Sequence, residues 1–266
     1  MNDQSHPPAS LEQVRRKIDE IDARLIDLLR ERFAASEMVK EVKAVTGQDD
    51  ASPIRPAREA IVMRGLIDSC QEPLPVDLMV RLWRHIMTSS TLVQADAQVH
   101  CARETMQTAR QRDLIRDHFG RIPVIEHDDD DQALKAAAQS RTAVAVGPPG
   151  GICAQVLSDG DIQRNAVIGT MPAFDADGLP QLLVIGQPFE EPTGQDETLL
   201  ITSGRLPRDF TPAPLWEIEL PSGDSLTSLP GFLSPSQTPL LDLRQRNDAL
   251  ALRVLGRYPS PIRTDK

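Results

Sequence analysis

The sequence predicts an α+β protein of two parts, a helical first third and an α/β module behind it. Three observations carry this. At 266 residues the chain exceeds one typical domain. Before about residue 100 glycine occurs only at Gly47 and Gly65, within long stretches of helix-spaced apolar residues. After it come short β-branched runs separated by glycine and proline, which places a boundary between Asp96 and Cys101 and gives domains at 10–97 and 98–266.

Helical signals open the chain. Ser10-Leu11-Glu12-Gln13 is a capping-box pattern, and Gly47 is a natural stop. Between them Val14, Ile18, Ile21, Leu25, Leu28 and Leu29 form an apolar stripe, continued by Phe33, Met38, Val39 and Val42. A helix of this length spans roughly 50 Å at about 1.5 Å per residue, more than a small globule needs. Its stripe therefore predicts a partner outside the subunit, and an intertwined all-α homodimer is the economical solution. A second helix is predicted from Ser52-Pro53 or Pro56 to about Cys70, and a third from about Val76 to at least Leu92, with Pro73 and Pro75 between them. The N-terminal part is thus a three-helix unit.

In the second part, strands are predicted at 99–101, 123–125, 142–146, 166–168, 181–185, 198–202, 216–220 and 252–255. Helices are predicted at 103–118, 131–139 and 152–157. Gly147-Pro148-Pro149-Gly150-Gly151 lacks the Gly-Lys-Ser/Thr ending of a phosphate loop, and its prolines remove two amides, so it reads as a tight strand-to-helix turn. The four acids Asp128 to Asp131 have no metal-ligand spacing and read as a solvated loop entering a helix.

Composition narrows the partners. A net charge of -10 disfavours nucleic acid, which needs a basic face, yet leaves room for a locally positive pocket that holds a small anion. Cys70, Cys101 and Cys153 are too few and too scattered for a disulfide framework or a metal knuckle, so a reducing cytosol is expected. The polar first ten residues and the absence of an apolar run of about 18 residues predict neither a signal peptide nor a membrane anchor.

The candidate site is a set of polar residues on the helices: Arg15, Arg32, Lys43, Arg58, Glu59, Ser90 and Gln94. At about 100° per residue, Arg32 and Lys43 fall within roughly 20° of each other, whereas Arg15 points about 100° away. One pocket in one subunit cannot easily use all three. In a dimer Arg15 can reach the partner's site, while Arg32, Lys43, Arg58, Glu59, Ser90 and Gln94 build their own. Arg16, Lys17, Arg24, Arg30, Lys40 and Arg64 read as surface charge, Trp83 as core, and His85 as a residue without a chemical partner.

These residues lie in Val14-Arg15-Arg16-Lys17-Ile18-Asp19-Glu20-Ile21-Asp22, Leu28-Leu29-Arg30-Glu31-Arg32, Val39-Lys40-Glu41-Val42-Lys43, Arg58-Glu59 and Ser90-Thr91-Leu92-Val93-Gln94. The ordered set resembles the all-helical class of chorismate mutases. The resemblance implies conversion of chorismate to prephenate, an intramolecular Claisen rearrangement that needs no nucleophile, metal or cofactor. It further implies that Arg15 and Arg32 grip the substrate carboxylates, Lys43 and Gln94 face the ether oxygen, and Arg58 and Ser90 help bind. Glu59 would accept from the ring hydroxyl. One departure stands out: three residues before Arg58, where many members have aspartate, this chain has Arg55.

The second part looks like the later region of the prephenate dehydratases fused behind such mutases. The likeness rests on Ala143 to Gly147 with Gly150-Gly151, Leu182 to Ile185, Glu197 to Leu200 and Val254 to Pro259. The first dehydratase lobe has no counterpart. Where the family carries its Thr-Arg-Phe motif the chain reads Pro180-Gln181-Leu182, and the Gly-Ala-Leu and Glu-Ser-Arg-Pro motifs of an ACT-type domain are missing. No dehydratase activity is expected. The competing readings are an isochorismate-pyruvate lyase on the same scaffold, a sensor or docking protein whose second domain meets a shikimate-route partner, and a coiled-coil adaptor; the adaptor leaves the ordered polar set unexplained.

Overall fold

A computed structural model describes residues 10–46, 52–152, 165–175, 178–189, 191–247 and 250–264. It divides into two compact units, 1–49 and 50–266.

The first unit is one helix, α1 (Leu11–Thr46). Its start is the predicted capping box: the Gln13 amide donates to Ser10 Oγ at 3.2 Å, and the Ser10 amide donates to Gln13 Oε1 at 2.7 Å. Two otherwise unsatisfied amides are thereby paired. The stripe from Val14 to Leu29 stands exposed along the helix, from 38% at Leu29 to 58% at Leu28.

The second unit begins with α2 (Pro56–Ser69) and α3 (Val76–Gln94), close to the predicted limits. Proline at the first turn of α2 supplies a preset φ and lacks an amide that the helix would leave unpaired. Behind them follow β1 (Gln98–Ala102), α4 (Arg103–Gln107), α5 (Ala109–Phe119), β2 (Val124–His127), α6 (Asp130–Ala138), β3 (Ala143–Gly147), β4 (Ala166–Met171) and β5 (Leu182–Gly186). The chain ends with β6 (Asp196–Thr202), β7 (Trp216–Glu219), β8 (Ser225–Pro230), α7 (Leu240–Arg246) and β9 (Leu252–Pro259).

All nine strands join one sheet, in the order β2-β1-β3-β5-β4-β9-β6-β8-β7. Around β1 the pairing is parallel, with helical crossovers; β1 is almost wholly buried and β3 wholly so, as parallel strands covered on both faces must be. The half made of β6, β7, β8 and β9 is antiparallel. The halves meet at one pairing, Val167 with Gly256, where a side chain at 256 would overlap the Val167 backbone. Glycine is required there by close approach.

Two elements differ from expectation, and a third expectation falls largely outside the described residues. β8 was not predicted, because Ser225-Leu226-Thr227-Ser228-Leu229-Pro230 has few β-branched residues; its burial comes from pairing with β6 and β7. The single helix expected over 103–118 breaks at Thr108, whose backbone is extended. Most of the helix expected over 152–157, and Cys153, lie outside the described residues. The Gly147 to Gly151 segment does turn from strand into helix, with the Ile152 amide bonded to Pro148 O at 3.0 Å.

The helices α2 and α3 pack on the sheet module. Met63, Met79 and Met87 share a core with Ile262 and Phe174, while Ile54 and Ala97 join Val99, Ile115 and Phe119. α5 closes onto α3 at Gly120, whose φ of 57° ends the helix and which leaves no room for a side chain beside Thr88 Oγ1. β1 begins at Gln98, one residue before the strand expected at 99–101, and the compact units divide near residue 50.

Candidate active site

Arg15, Arg32 and Lys43 lie on α1. Arg15 is exposed, and Arg32 is half-buried, which lowers its guanidinium pKa from the usual value by desolvation. The Arg32 carbonyl accepts from Ser36 Oγ at 3.1 Å. Lys43 continues the helix eleven residues after Arg32, and only its backbone is described.

Arg58, Glu59, Ser90 and Gln94 belong to the second unit. Arg58 is exposed in the first turn of α2 and opens on a cavity of about 390 Å³ that Arg55 also lines. Arg55 is the residue before the helix, and its side chain caps nothing. Glu59, its neighbour, turns elsewhere: Glu59 Oε2 accepts from Arg84 Nη1 at 2.8 Å, with the two side chains 20% and 9% exposed. Arg84 Nη2 donates to the His118 carbonyl at 2.5 Å, so the guanidinium bridges α2, α3 and α5. Burial and the nearby Arg84 charge hold the His118 imidazole well below its ordinary pKa.

Ser90 is buried, and its Oγ donates to Ile86 O at 2.8 Å. Gln94 is half-buried at the last turn of α3. Counting about 100° per residue, Ser90 and Gln94 lie roughly 120° and 80° around α3 from Arg84. The second unit thus places Arg58 and Glu59 on different cavities and brings Glu59 to Arg84. A sequence signal for Arg84 existed only in retrospect: a charged residue on the same helical face as Val80, Met87 and Thr91.

Two residues read as surface or loop charge have other places. Arg64 donates to Thr193 Oγ1 and Gln195 O at 2.9 Å and to Ser260 O at 3.1 Å, pinning α2 to the ends of β6 and β9. Burial lowers its pKa while the Asp196 charge raises it. In the acid run, Asp129 caps α6 by accepting from the Gln132 amide at 2.8 Å. Asp130, however, is largely enclosed against Gly147 and Gly151, and its Oδ1 has no hydrogen-bond partner. Desolvation, then the charges of Asp129 and Glu104, push its pKa up to about 6. The segment is therefore not simply a solvated loop.

Where the dehydratase motif was sought, Pro180 and Gln181 precede β5, and the Gln181 amide bonds to Met171 O at 2.9 Å. Among the described residues no group of three or more metal-binding side chains occurs, and no helix is long and apolar enough to cross a membrane.

Comparison with known proteins relates the helical segment to one family. Residues 14–95 match the family model of chorismate mutase type II. The bifunctional chorismate mutase/prephenate dehydratase of Stutzerimonas stutzeri is 33% identical over 91 residues, covering 34% of this chain and 25% of that protein. The protein of the same description from Pseudomonas aeruginosa is 24% identical over 364 aligned positions, covering 95% and 98%. That of Neisseria gonorrhoeae is 36% identical over 80 residues, covering 30% and 21%. Two of these three matches thus span a quarter or less of the relative's length. A solved prephenate dehydratase from Streptococcus mutans aligns with 63% of this chain and 99% of its own at 11% identity and a TM-score of 0.38, too low to carry an argument. The helical segment 14–95 is thus similar to the chorismate mutase type II family, over about a third of the chain.

Proposed function

We propose that the chain is a chorismate mutase, with residues 10–97 as the mutase unit, acting as a homodimer with shared sites in aromatic amino-acid biosynthesis. The observation that carries this reading is the family match over the segment that holds all seven polar residues in order. The rearrangement is unimolecular, so the protein can accelerate it by holding the folded conformer and by placing charge where the ether bond breaks. Arg15 of one subunit and Arg32 of the other clamp the carboxylates, using the planar fork of guanidinium. Lys43 and Gln94 donate to the ether oxygen as it gains negative charge. Arg58, Glu59 and Ser90 hold the remainder of the substrate, and Glu59 reaches the ring hydroxyl only from a position other than its contact with Arg84. The exposed stripe of α1 supports the dimer, since a 36-residue helix with so many apolar side chains in water is poorly stabilised alone. Chorismate and prephenate are the proposed ligands, no cofactor is needed, and the cytoplasm is the proposed location.

Residues 98–266 are proposed to lack dehydratase activity, because Pro180 and Gln181 replace a hydroxyl and a guanidinium. Product analysis tests the whole reading. Chorismate should yield prephenate that accumulates at neutral pH; enzymatic phenylpyruvate would refute the silent module, and no prephenate would refute the mutase. Isochorismate offered in parallel separates a lyase. Mixed dimers of inactive Arg15→Ala and Lys43→Ala proteins should regain part of the activity, and none regained despite subunit exchange would rule out shared sites.

A further inference from the structure

Glu59, which the mutase reading assigns to the ring hydroxyl, sits where no substrate fits. Its side chain lines a narrow cavity of about 50 Å³ between α2, α3 and the sheet, bounded by Gly169 and Thr170 of β4, Val184 of β5 and Ser260 after β9. Pockets for small molecules hold about 300–1,000 Å³. The carboxylate accepts from Arg84 Nη1 at 2.8 Å, and Arg84 is fixed from two further sides: Nη2 donates to the His118 carbonyl of α5, and the guanidinium lies 5.9 Å from the centre of the Phe174 ring. Hydrogen bonds with a charged partner are the stronger kind. When Glu59 leaves, Arg84 keeps the carbonyl and the ring, so its charge is not stranded. For Glu59 to face a space of substrate size, the start of α2, where Ala60 and Met63 are buried, must draw back from the sheet.

We propose that Arg84 is a positioning residue that withholds Glu59 from the mutase site, so that the packing of α2 and α3 on α5 and the sheet restrains the mutase. The inference rests on the mutase reading and names how that site is regulated. Arg84 does not touch the substrate; it acts through Glu59. Substrate must draw the carboxylate off the guanidinium, and a site that is competent in only a fraction of molecules shows an apparent affinity lowered by that fraction. Loosening the hold of Arg84 therefore improves binding and leaves the rearrangement itself unchanged. An arginine that only supported the fold would give the opposite sign, because its loss would loosen the helices that carry the site.

Steady-state kinetics of the full-length protein with chorismate test this. Arg84→Gln, whose amide can still donate to the His118 carbonyl, should lower the Michaelis constant by about fivefold or more. Turnover should stay within about twofold of wild type. In a Glu59→Gln background the same change should leave the Michaelis constant unaltered, since a neutral amide gives Arg84 little to withhold. If circular dichroism shows that Arg84→Gln does not fold, hydrogen exchange of the wild type decides: saturating prephenate should speed exchange over residues 59–63 as the start of α2 draws back, and slowed or unchanged exchange there overturns the proposal. A Michaelis constant unchanged or raised in folded Arg84→Gln, or lowered equally in the Glu59→Gln background, overturns the proposal while the mutase reading stands. No prephenate from any of the proteins, wild type included, sinks the mutase reading and the proposal with it.

Discussion

The helices α1 and α3 both lie in the segment that matches the mutase family, yet they solve the same physical problem differently. α3 turns Val80, Met87 and Thr91 toward α2 and the sheet module and is covered within its own chain. α1 carries a longer apolar stripe and leaves Ile18, Leu25 and Leu28 more than half exposed. At about 25 cal/mol per Å² of apolar surface, an uncovered stripe of this size represents several kcal/mol of unused stabilisation. A family segment is therefore not one packing unit: part of it is held by residues downstream in the same chain, and part presents a surface for which a second subunit is the proposed cover.

The largest effect should come from placing charge on that stripe. Ile18→Asp with Leu25→Asp should convert a dimer to a monomer by light scattering and lower mutase turnover by at least 100-fold, while the second unit keeps its circular dichroism and melting behaviour. Met87→Asp, buried in α3, should instead unfold the second unit, since an unpaired charge in a core is among the costliest single changes. Equal behaviour of the two substitutions would break the contrast.

Lys43→Ala should reduce turnover by about 10²–10³, comparable to removing a preorganised oxyanion donor, with a smaller effect on the Michaelis constant. A raised Michaelis constant alone would assign α1 a binding role.

In the second unit, Arg84→Met should cost about 3–5 kcal/mol in urea denaturation, because it strands the Glu59 carboxylate in a largely buried place. Adding Glu59→Leu should recover much of that loss, as both charges are then gone. Additive losses would show that Arg84 acts by packing, apart from its pairing with Glu59.

The smallest effect concerns Asp130. Its folded pKa of about 6 lies above the unfolded value near 3.8, so the folded state holds the extra proton between them and stability falls as pH rises through that window. Asp130→Asn should remove this loss, stabilising the protein at pH 7.5 relative to wild type by about 1 kcal/mol after allowance for solvent screening, with little difference near pH 4. Melting curves at the two pH values decide it. An equal shift at both would trace to lost contacts and not to titration.

Helix limits, the capping box at Ser10 and Gln13, most strands and the order of the polar set were legible in the sequence because each rests on neighbours a few residues apart. A helix start is written in an i, i+3 pair, and a half-buried strand in alternation. The role of Arg84 was not legible, since its partner Glu59 is 25 residues away and the His118 carbonyl 34. The same holds for Arg64, whose bonds reach Thr193 and, 196 residues on, Ser260. Asp130 looked like one acid among four until Gly147 and Gly151 closed over it. β8 lacked a local signature and is a strand by virtue of its two neighbours. The sequence alone determined most of the segments that coil or extend and the family that the helices resemble; tertiary structure decided which charges are buried, which apolar faces are covered and that Ser225–Pro230 is a strand. The reason is that local backbone preference depends on adjacent side chains, whereas desolvation depends on whatever the fold brings near.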